Sequence, residues 1–345
     1  MNIAVIYGGM SSEHEISCLS AKTIYEALDP ARYTVYPIFI SKKGQWRLTK
    51  EIADYDKLSL EGLPLATILP SREEFNGVII GETEEKIHLD AAIPVLHGKY
   101  GEDGTIQGLF ELAGIPYVGC GVLASAAAMD KATTKRIVEP LSIRQAKWVV
   151  VYRQQLEDME KICDRIESRL PYPVFVKPAN AGSSVGVSQA ADREELKKAL
   201  QIAAEQDFKV LVEETIIGHE VECAVLGNLE VKASQVGEIL AADTFYTYEA
   251  KYSNPDSKTV VADYLPKETI EEIRDDAVRI FQALDGRGLA RVDFFIEKAT
   301  GEVVFNEINT FPGFTSISMY PTLWKNAGMD IESLVDQLVG LGMTR

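Results

Sequence analysis

Between Arg291 and Pro321 the chain reads RVDFFIEKATGEVVFNEINTFPGFTSISMYP, two strands joined by a short turn and followed by a glycine-bearing loop. Three oxygen-donor side chains of the kind that hold metals lie on it: Asp293, Glu307 and Asn309. Carboxylates and an amide, with no Cys or His cluster nearby, suit a hard cation such as Mg²⁺ and not zinc. Glu307 and Asn309 are two apart on a strand, so both point to one face. Where Asp293 points depends on the turn. A five-residue loop, Lys298 to Glu302, sets Asp293 opposite Glu307 on the same face; a four-residue loop sends it to the other. A metal site therefore requires the longer loop, and otherwise the stretch is a polar outer face at a sheet edge.

With 345 residues the chain is too long for one small core, which implies two or three domains. Its 35 basic against 52 acidic residues give a net charge of −17, which argues against a nucleic-acid or anionic-membrane surface. Phosphate ligands stay possible, since they need only a few locally placed lysines. No basic leader precedes the first apolar run, NIAVIY, and no apolar run approaches the ~18 residues of a membrane span. Cys18, Cys120, Cys163 and Cys223 form no CxxC pair. Reduced, mostly buried thiols in a cytoplasmic protein are the expectation.

Residues 1–121 alternate strands and helices: NIAVIYGG, the Ser-capped amphipathic helix SSEHEISCLSAKTIYEAL, YTVYPIFIS, a polar stretch to about residue 90, AAIPVLHG, and TIQGLFELAG. This βαβ rhythm predicts an α/β domain with a doubly wound parallel sheet. Its Gly8-Gly9 turn is not GxGxxG, so dinucleotide binding is poorly supported. Residues 122–211 open with a helix up to Pro140 and continue as a small α+β module around the loop ANAGSSVGVSQA. Residues 212–345 hold HEVECAVLG, a loop-rich stretch around TFYTYEAKYSNPDS, the helix KETIEEIRDDAVRIFQAL, the hairpin and a final helix.

VKPANAGSSVGVS, Val176 to Ser188, concentrates glycines and serines into a loop rich in N–H and hydroxyl donors, the chemistry that wraps phosphate oxygens. It is not GxxxxGK[ST] and leads into a strand, so it is no P-loop. Lys177 ends the apolar strand VFVK, where a lysine needs a partner. Lys131 could offer a second ammonium. Glu213 and Glu220, in VLVEETIIGHE, could bind an adenine amino group and ribose hydroxyls, or form a solvated acidic edge. His97, after IPVL, could act near a substrate carboxylate, although a lone histidine at a strand end is more often structural.

Taken in order, Lys131, Lys177 with AGSSVG, EE…GHE, YEAKY, RVD, and NEIN with PGFTSIS resemble the ATP-grasp ligases, and within them the D-alanine–D-alanine ligase family. EHEIS, LHGKYGEDGTIQG and PYVGCG belong to the same pattern, so the likeness spans essentially the whole chain. It implies a three-domain ATP-grasp architecture, with ATP between the central and C-terminal domains. Lys131 and Lys177 would contact the phosphates under a loop of Gly182, Ser183 and Ser184. Glu213 would take the adenine amino group, with Glu214 also at the nucleotide, Ile216 would offer backbone contacts, and Glu220 would bind the ribose. Asp293, Glu307 and Asn309, with Asn306 beside the nucleotide, would hold two Mg²⁺, for which Mn²⁺ could substitute.

The same resemblance implies the chemistry. A first D-alanine carboxylate attacks the γ-phosphate, and a second D-alanine amine attacks the resulting acyl phosphate. Arg291 and the Gly313 N–H would stabilise the oxyanion. Glu15 would bind the first ammonium, while Ser318 and the Met319 backbone would hold the second carboxylate. Glu15, Ser183 and Tyr252 would be hydrogen-bonded, closing the YEAKY loop and bringing Lys251 to the γ-phosphate. Tyr252 and Met319 together look like a D-alanine acceptor site; D-lactate relatives tend to have histidine at the first position and some D-serine relatives arginine at the second. Thr247 and Glu214 depart from common residues of the family. The product would serve peptidoglycan precursors, and a homodimer through the N-terminal domain is implied. A D-serine or D-lactate ligase, a non-catalytic nucleotide binder and a carboxylase-type relative are the alternatives.

Overall fold

The computed structural model describes residues 1–52, 55–72, 75–81, 85–240 and 258–345. The first domain begins with β1 (Asn2–Gly8), α1 (His14–Ala27), β2 (Thr34–Ile40) and β3 (Trp46–Leu48). The polar stretch that follows is not structureless: β4 (Ala66–Ile68), β5 (Gly77–Ile80) and β6 (Glu85–His88) make a small antiparallel sheet. These strands are too short for their alternation to rise above the polar background. β7 (Ala91–Val95) then returns to the main sheet, whose order is β3-β2-β1-β7 with β1 parallel to both β2 and β7. Strand order reverses between β1 and β7, so the loops leaving their C-terminal ends form a crevice suited to a ligand.

Gly8 and Gly9 make the turn out of β1 at φ +89 and +94, and a Cβ on Gly8 would lie 2.3 Å from the Ile40 carbonyl oxygen. Only glycine fits there. Helix α1 starts at His14 without the expected serine cap, because Ser11 Oγ instead accepts the Glu13 N–H in a local turn. After α2 (Thr105–Ala113) the expected long helix breaks at Asp130 into α3 (Val122–Met129) and α4 (Lys131–Val138). Asp130 leaves the helical region at ψ 97, caps α4 through the Thr133 N–H, and pairs with Lys209. An aspartate placed where it can cap an orphan amide outweighs the propensity of the alanine run.

The central sheet, order β10-β9-β11-β8, is antiparallel: β8 (Trp148–Tyr152), β9 (Val174–Pro178), β10 (Ser188–Ala190) and β11 (Lys209–Glu214). Its inner face buries Val174, Val176, Val210 and Val212 with α5 (Met159–Glu167) and α6 (Arg193–Gln206) in a core of its own. Helices α3 and α4 do not join this core; they pack with the C-terminal sheet through Ala124, Ala128 and Val138. That sheet has the order β14-β13-β12-β15-β16, from β12 (Gly218–Gly227), β13 (Lys232–Leu240), β14 (Lys258–Val261), β15 (Gly288–Glu297) and β16 (Val303–Asn309). The helices Lys267–Ala283, Met319–Asn326 and Ile331–Met343 complete the chain. The last two share one core with β1, α1 and β7, through Phe314, Tyr320, Trp324 and Leu334.

All four cysteines are free and buried, as expected. Among the described residues no helix is long and apolar enough to cross a membrane.

Candidate active site

A cleft of about 1470 Å³ opens where the three sheets meet. The C-terminal hairpin forms one wall, and its register determines what faces the ligand. The strands stop at Glu297 and Val303, leaving the expected five residues between them, yet the Glu297 N–H bonds the Glu302 carbonyl at 2.9 Å. Leaving the turn, the pairing is therefore that of the shorter loop, with Ile296 opposite Val303 and Phe294 opposite Phe305, all turned to the core. At Asn306 the register shifts by one, and beyond it Asp293 pairs with Glu307 and Arg291 with Asn309. The expected apposition exists, but a β-bulge creates it, not the loop length. The bulge turns Glu307 and Asn309 to the cleft and returns Ile308 to the core.

On that face the groups are tightly paired. Arg291 reaches both oxygens of Asp293 at 2.7 Å and Glu222 at 3.0 Å, and Asn309 Nδ2 donates to Asp293 at 3.0 Å. Asp293 lies beneath this layer, 1 % exposed, while Glu307 and Asn309 line the cleft. Lys131, at the start of α4, donates to the Ala181 carbonyl at 2.9 Å and stands 3.5 Å from Glu307.

Lys177 faces the cleft from β9, because its neighbours Val174 and Val176 take the core side of the alternation. Its partner is Glu213, diagonal to it on β11. The other Glu213 oxygen is 2.6 Å from Lys135 Nζ, and Lys135 is 1 % exposed. Burial opposes the ionisation of Glu213, but Lys135 and Lys177 outweigh it and hold the carboxyl at about 2. For Lys177 burial favours the neutral amine, yet Glu213 and Glu307 win and raise its pKa. For Lys135 burial wins and lowers it. Between these lysines and Glu13, the Gly182–Gly186 loop holds Ser183 and Ser184 at φ 51 and 57. These two left-handed serines form the middle of a tight turn closed by the Val185 N–H on the Gly182 carbonyl at 3.2 Å.

The opposite end of the cleft belongs to the first domain. Glu13, ahead of α1, sits so close that a Cβ on Gly182 would lie 2.6 Å from its carboxylate, and one on Gly98 2.7 Å. His97 donates or accepts at both ring nitrogens, 3.0 Å from the Phe311 carbonyl and 3.1 Å from Ser20 Oγ. Burial lowers its pKa and keeps the ring neutral. Glu102 accepts from the Gly98 and Phe311 N–H groups, and burial, with the nearby charge of Glu13, pushes its carboxyl up to about 8. Gly313 lies beside Ser318, which precedes the helix Met319–Asn326 and whose Oγ accepts the Thr315 N–H at 2.9 Å.

Residues 2–120 match the sequence profile of the D-ala D-ala ligase N-terminus, and residues 137–340 that of the D-ala D-ala ligase C-terminus. The chain belongs to the D-alanine–D-alanine ligase family. It is 49% identical to the D-alanine–D-alanine ligase of Ruminiclostridium cellulolyticum over 99% of this chain and 95% of that one. For the Caldicellulosiruptor bescii ligase the figures are 48%, 100% and 96%. Among solved structures, the VanG D-Ala:D-Ser ligase of Enterococcus faecalis is 39% identical, covers 99% of both chains and superposes with a TM-score of 0.88. The Coxiella burnetii D-alanine–D-alanine ligase is 35% identical, covers 100% of this chain and 96% of its own, with a TM-score of 0.86. As a D-alanine–D-alanine ligase family member the chain is an ATP-dependent ligase that works with a divalent metal.

The donor set fits such a metal in kind. Glu307 and Asn309 offer oxygens to the cleft, and Asp293 offers more once the Arg291 guanidinium yields. No group of three or more His, Cys, Asp and Glu surrounds one point among the described residues, so phosphate and water would supply the remaining ligands.

Of the residues expected from sequence, Lys131, Lys177, Gly182, Ser183, Ser184, Glu213, Glu214, Ile216, Glu220, Arg291, Asn306, Glu307, Asn309, Gly313, Ser318 and Met319 line the one cleft. Two expectations are corrected. Glu15 lies outside it, paired with Lys42 at the surface, and Glu13 takes the place assigned to it. On a helix start, residues two apart point about 200° apart, so only one of the two can face the cleft. His97 lines the cleft but has both nitrogens committed to protein, leaving nothing for a substrate carboxylate. The Glu213 carboxylate is paired with Lys135 and Lys177 where it lines the cleft. Lys251, Tyr252 and Thr247 lie outside the described residues. Sequence reading also missed Lys135, Glu222 and Glu102. Lys135 was signalled by its place one turn after Lys131 on the same helix face.

Proposed function

We propose that this chain joins two D-alanines into D-alanyl-D-alanine through a D-alanyl phosphate, releasing ADP and phosphate, for peptidoglycan precursors. The observation that carries the reading is the convergence on one cleft of two lysines, a serine–glycine loop, the Glu307 and Asn309 oxygens with Asp293 beneath them, and an amino-acid end. Lys131 and Lys177 hold the ATP phosphates with the Gly182–Ser184 amides. Glu220 takes the ribose, and the Ile216 backbone meets the base. Divalent metal held by Asp293, Glu307 and Asn309, taken as two Mg²⁺ replaceable by Mn²⁺, supplies charge that lets one anion approach another.

Glu13 binds the ammonium of the first D-alanine and orients its carboxylate toward the γ-phosphorus. The carboxylate oxygen attacks, the bond to ADP breaks, and an acyl phosphate remains. The second D-alanine is held by its carboxylate at Ser318 and the Met319 N–H, at a helix N-terminus where backbone donors and dipole favour an anion. Its amine attacks the acyl carbonyl, loses a proton, and phosphate departs. Arg291 and the Gly313 N–H face the oxyanion of the tetrahedral intermediate; one such donor is worth ~3 kcal/mol of barrier. Lys251 and Tyr252 complete the reading as lid residues, in a cytoplasmic homodimer.

The test is a coupled assay with competing acceptors. ADP and phosphate are expected only with D-alanine, and D-alanyl-D-alanine is expected to dominate over D-serine and D-lactate products near neutral pH. Turnover with L-alanine alone, or none with D-alanine, overturns the reading. Dominant D-alanyl-D-serine would instead make it an enzyme like the VanG relative. Light scattering on the purified protein reads the dimer.

A further inference from the structure

Residues 310–318, which carry Gly313, belong to no helix or strand. Their backbone is held instead by three side chains from the first domain. Glu102 Oε1 accepts the Phe311 N–H at 3.1 Å, and His97 Nδ1 meets the Phe311 carbonyl at 3.0 Å. Ser20 Oγ accepts the Phe314 N–H at 3.0 Å and contacts His97 Nε2 at 3.1 Å. The partners are 209 to 294 residues apart in sequence, so none of this is local turn chemistry.

We propose that Ser20, His97 and Glu102 form a positioning clip that aims the Gly313 N–H at the tetrahedral intermediate. The inference rests on the ligase reading above. Gly313 lies between the two clipped residues, with Pro312 before it restricting φ near −65°. Anchoring Phe311 on both its polar backbone groups and Phe314 on its N–H therefore leaves the intervening peptide little freedom. The chain of bonds is also directional. The Phe311 carbonyl can only accept, so Nδ1 carries the hydrogen, and in the neutral ring Nε2 accepts from the Ser20 hydroxyl, whose oxygen accepts the Phe314 N–H. Each donor finds one acceptor only with a neutral ring. Ser20 is fully buried and His97 nearly so, and the Phe311 and Phe314 rings pack 6.0 Å apart under the clip, which excludes competing water.

These are positioning residues, acting through the loop and not on substrate. The test compares wild type with Ser20→Ala and Glu102→Gln, each of which removes acceptor capacity with little change in volume. Amide exchange in peptides covering 310–318 is expected to quicken about tenfold, the size of one lost hydrogen bond. The kcat is expected to fall by a similar factor, with KM for ATP within about twofold. Affinity for a tetrahedral phosphinate analogue of the dipeptide should fall in step with kcat, whereas general loosening of the fold would lower all binding alike. Unchanged exchange in both variants overturns the clip, as does a kcat loss with undiminished analogue affinity. If wild type shows no D-alanine-dependent turnover, the ligase reading fails by itself, and exchange still decides whether the clip exists.

Discussion

Replacing Lys135 by methionine asks how the cleft keeps Lys177 available for phosphate. Lys135 is 1 % exposed, its ammonium lies 2.6 Å from Glu213, and the other Glu213 oxygen is bonded to Lys177. Two ammoniums share the one Glu213 carboxylate, so it does not fully neutralise Lys177. Methionine keeps most of the volume and removes one charge; Glu213 then turns wholly to Lys177, and the pair becomes neutral. Removing one partner of a buried pair destabilises by ~3–5 kcal/mol when the other is left bare. Here Lys177 still compensates Glu213, so the expected loss is about 3 kcal/mol, the lower end. ATP must now compete with Glu213 for Lys177, and its affinity should weaken about tenfold, ~1.4 kcal/mol. Calorimetric titration with ATP in the absence of D-alanine reads this directly. Adding Glu213→Gln to the same chain removes the competitor and should restore much of the affinity. If the losses of Lys135→Met and Glu213→Gln simply add in the double variant, Lys135 does not act through Glu213 and the reasoning fails.

Glu307→Gln should lower turnover about a hundredfold or more with the fold intact, read as kcat against Mg²⁺ concentration; retained activity with the same metal dependence would remove Glu307 from the metal set. Glu13→Gln should raise KM for the first D-alanine about tenfold, whereas Glu15→Gln loses only a surface pair with Lys42 and should stay near wild type. The opposite order in initial-rate assays would return the role to Glu15. For His97, burial lowers the folded-state pKa, so the unfolded chain binds the extra proton more readily. Its contribution to stability is therefore present above about 6.5 and is lost as pH falls toward the lower folded value. Urea midpoints should drop across that window, and His97→Gln should flatten the slope.

Much of the architecture was legible because core strands carry their burial in their pattern. NIAVIYG, VFVKP and KVLVEE all fall where the alternation or continuous apolarity puts them, and residue type alone pointed to a hard-metal set on the hairpin. What escaped was decided by contacts distant in sequence. Glu13 and Glu15 are the same residue two positions apart, and only the approach of Gly182 and Gly98 distinguishes them. His97 could be read as a substrate group until Phe311 and Ser20 claimed its nitrogens. Glu213 lies on a strand whose face was predictable, but its second partner comes from a helix whose break at Asp130 was not. The bulge did leave a trace: core residues recur at 303 and 305 and then at 308, a skipped beat in a period of two.

That skipped beat means the hairpin stores its site as phase as well as identity. A strand that took Asn306 into the ladder as an ordinary pair would spell Asp, Glu and Asn in the same order. Yet the carboxylate and the amide would turn inward among Phe294, Phe305 and Val292, and Ile308 would turn outward toward the phosphates. Point substitutions in this strand erode function by degrees. Deleting Asn306 itself would instead leave Val303, Phe305 and Ile308 in the core and Glu307 opposite Asp293, so a chain one residue shorter at the bulge should keep the facing of the site and lose only what Asn306 contributes.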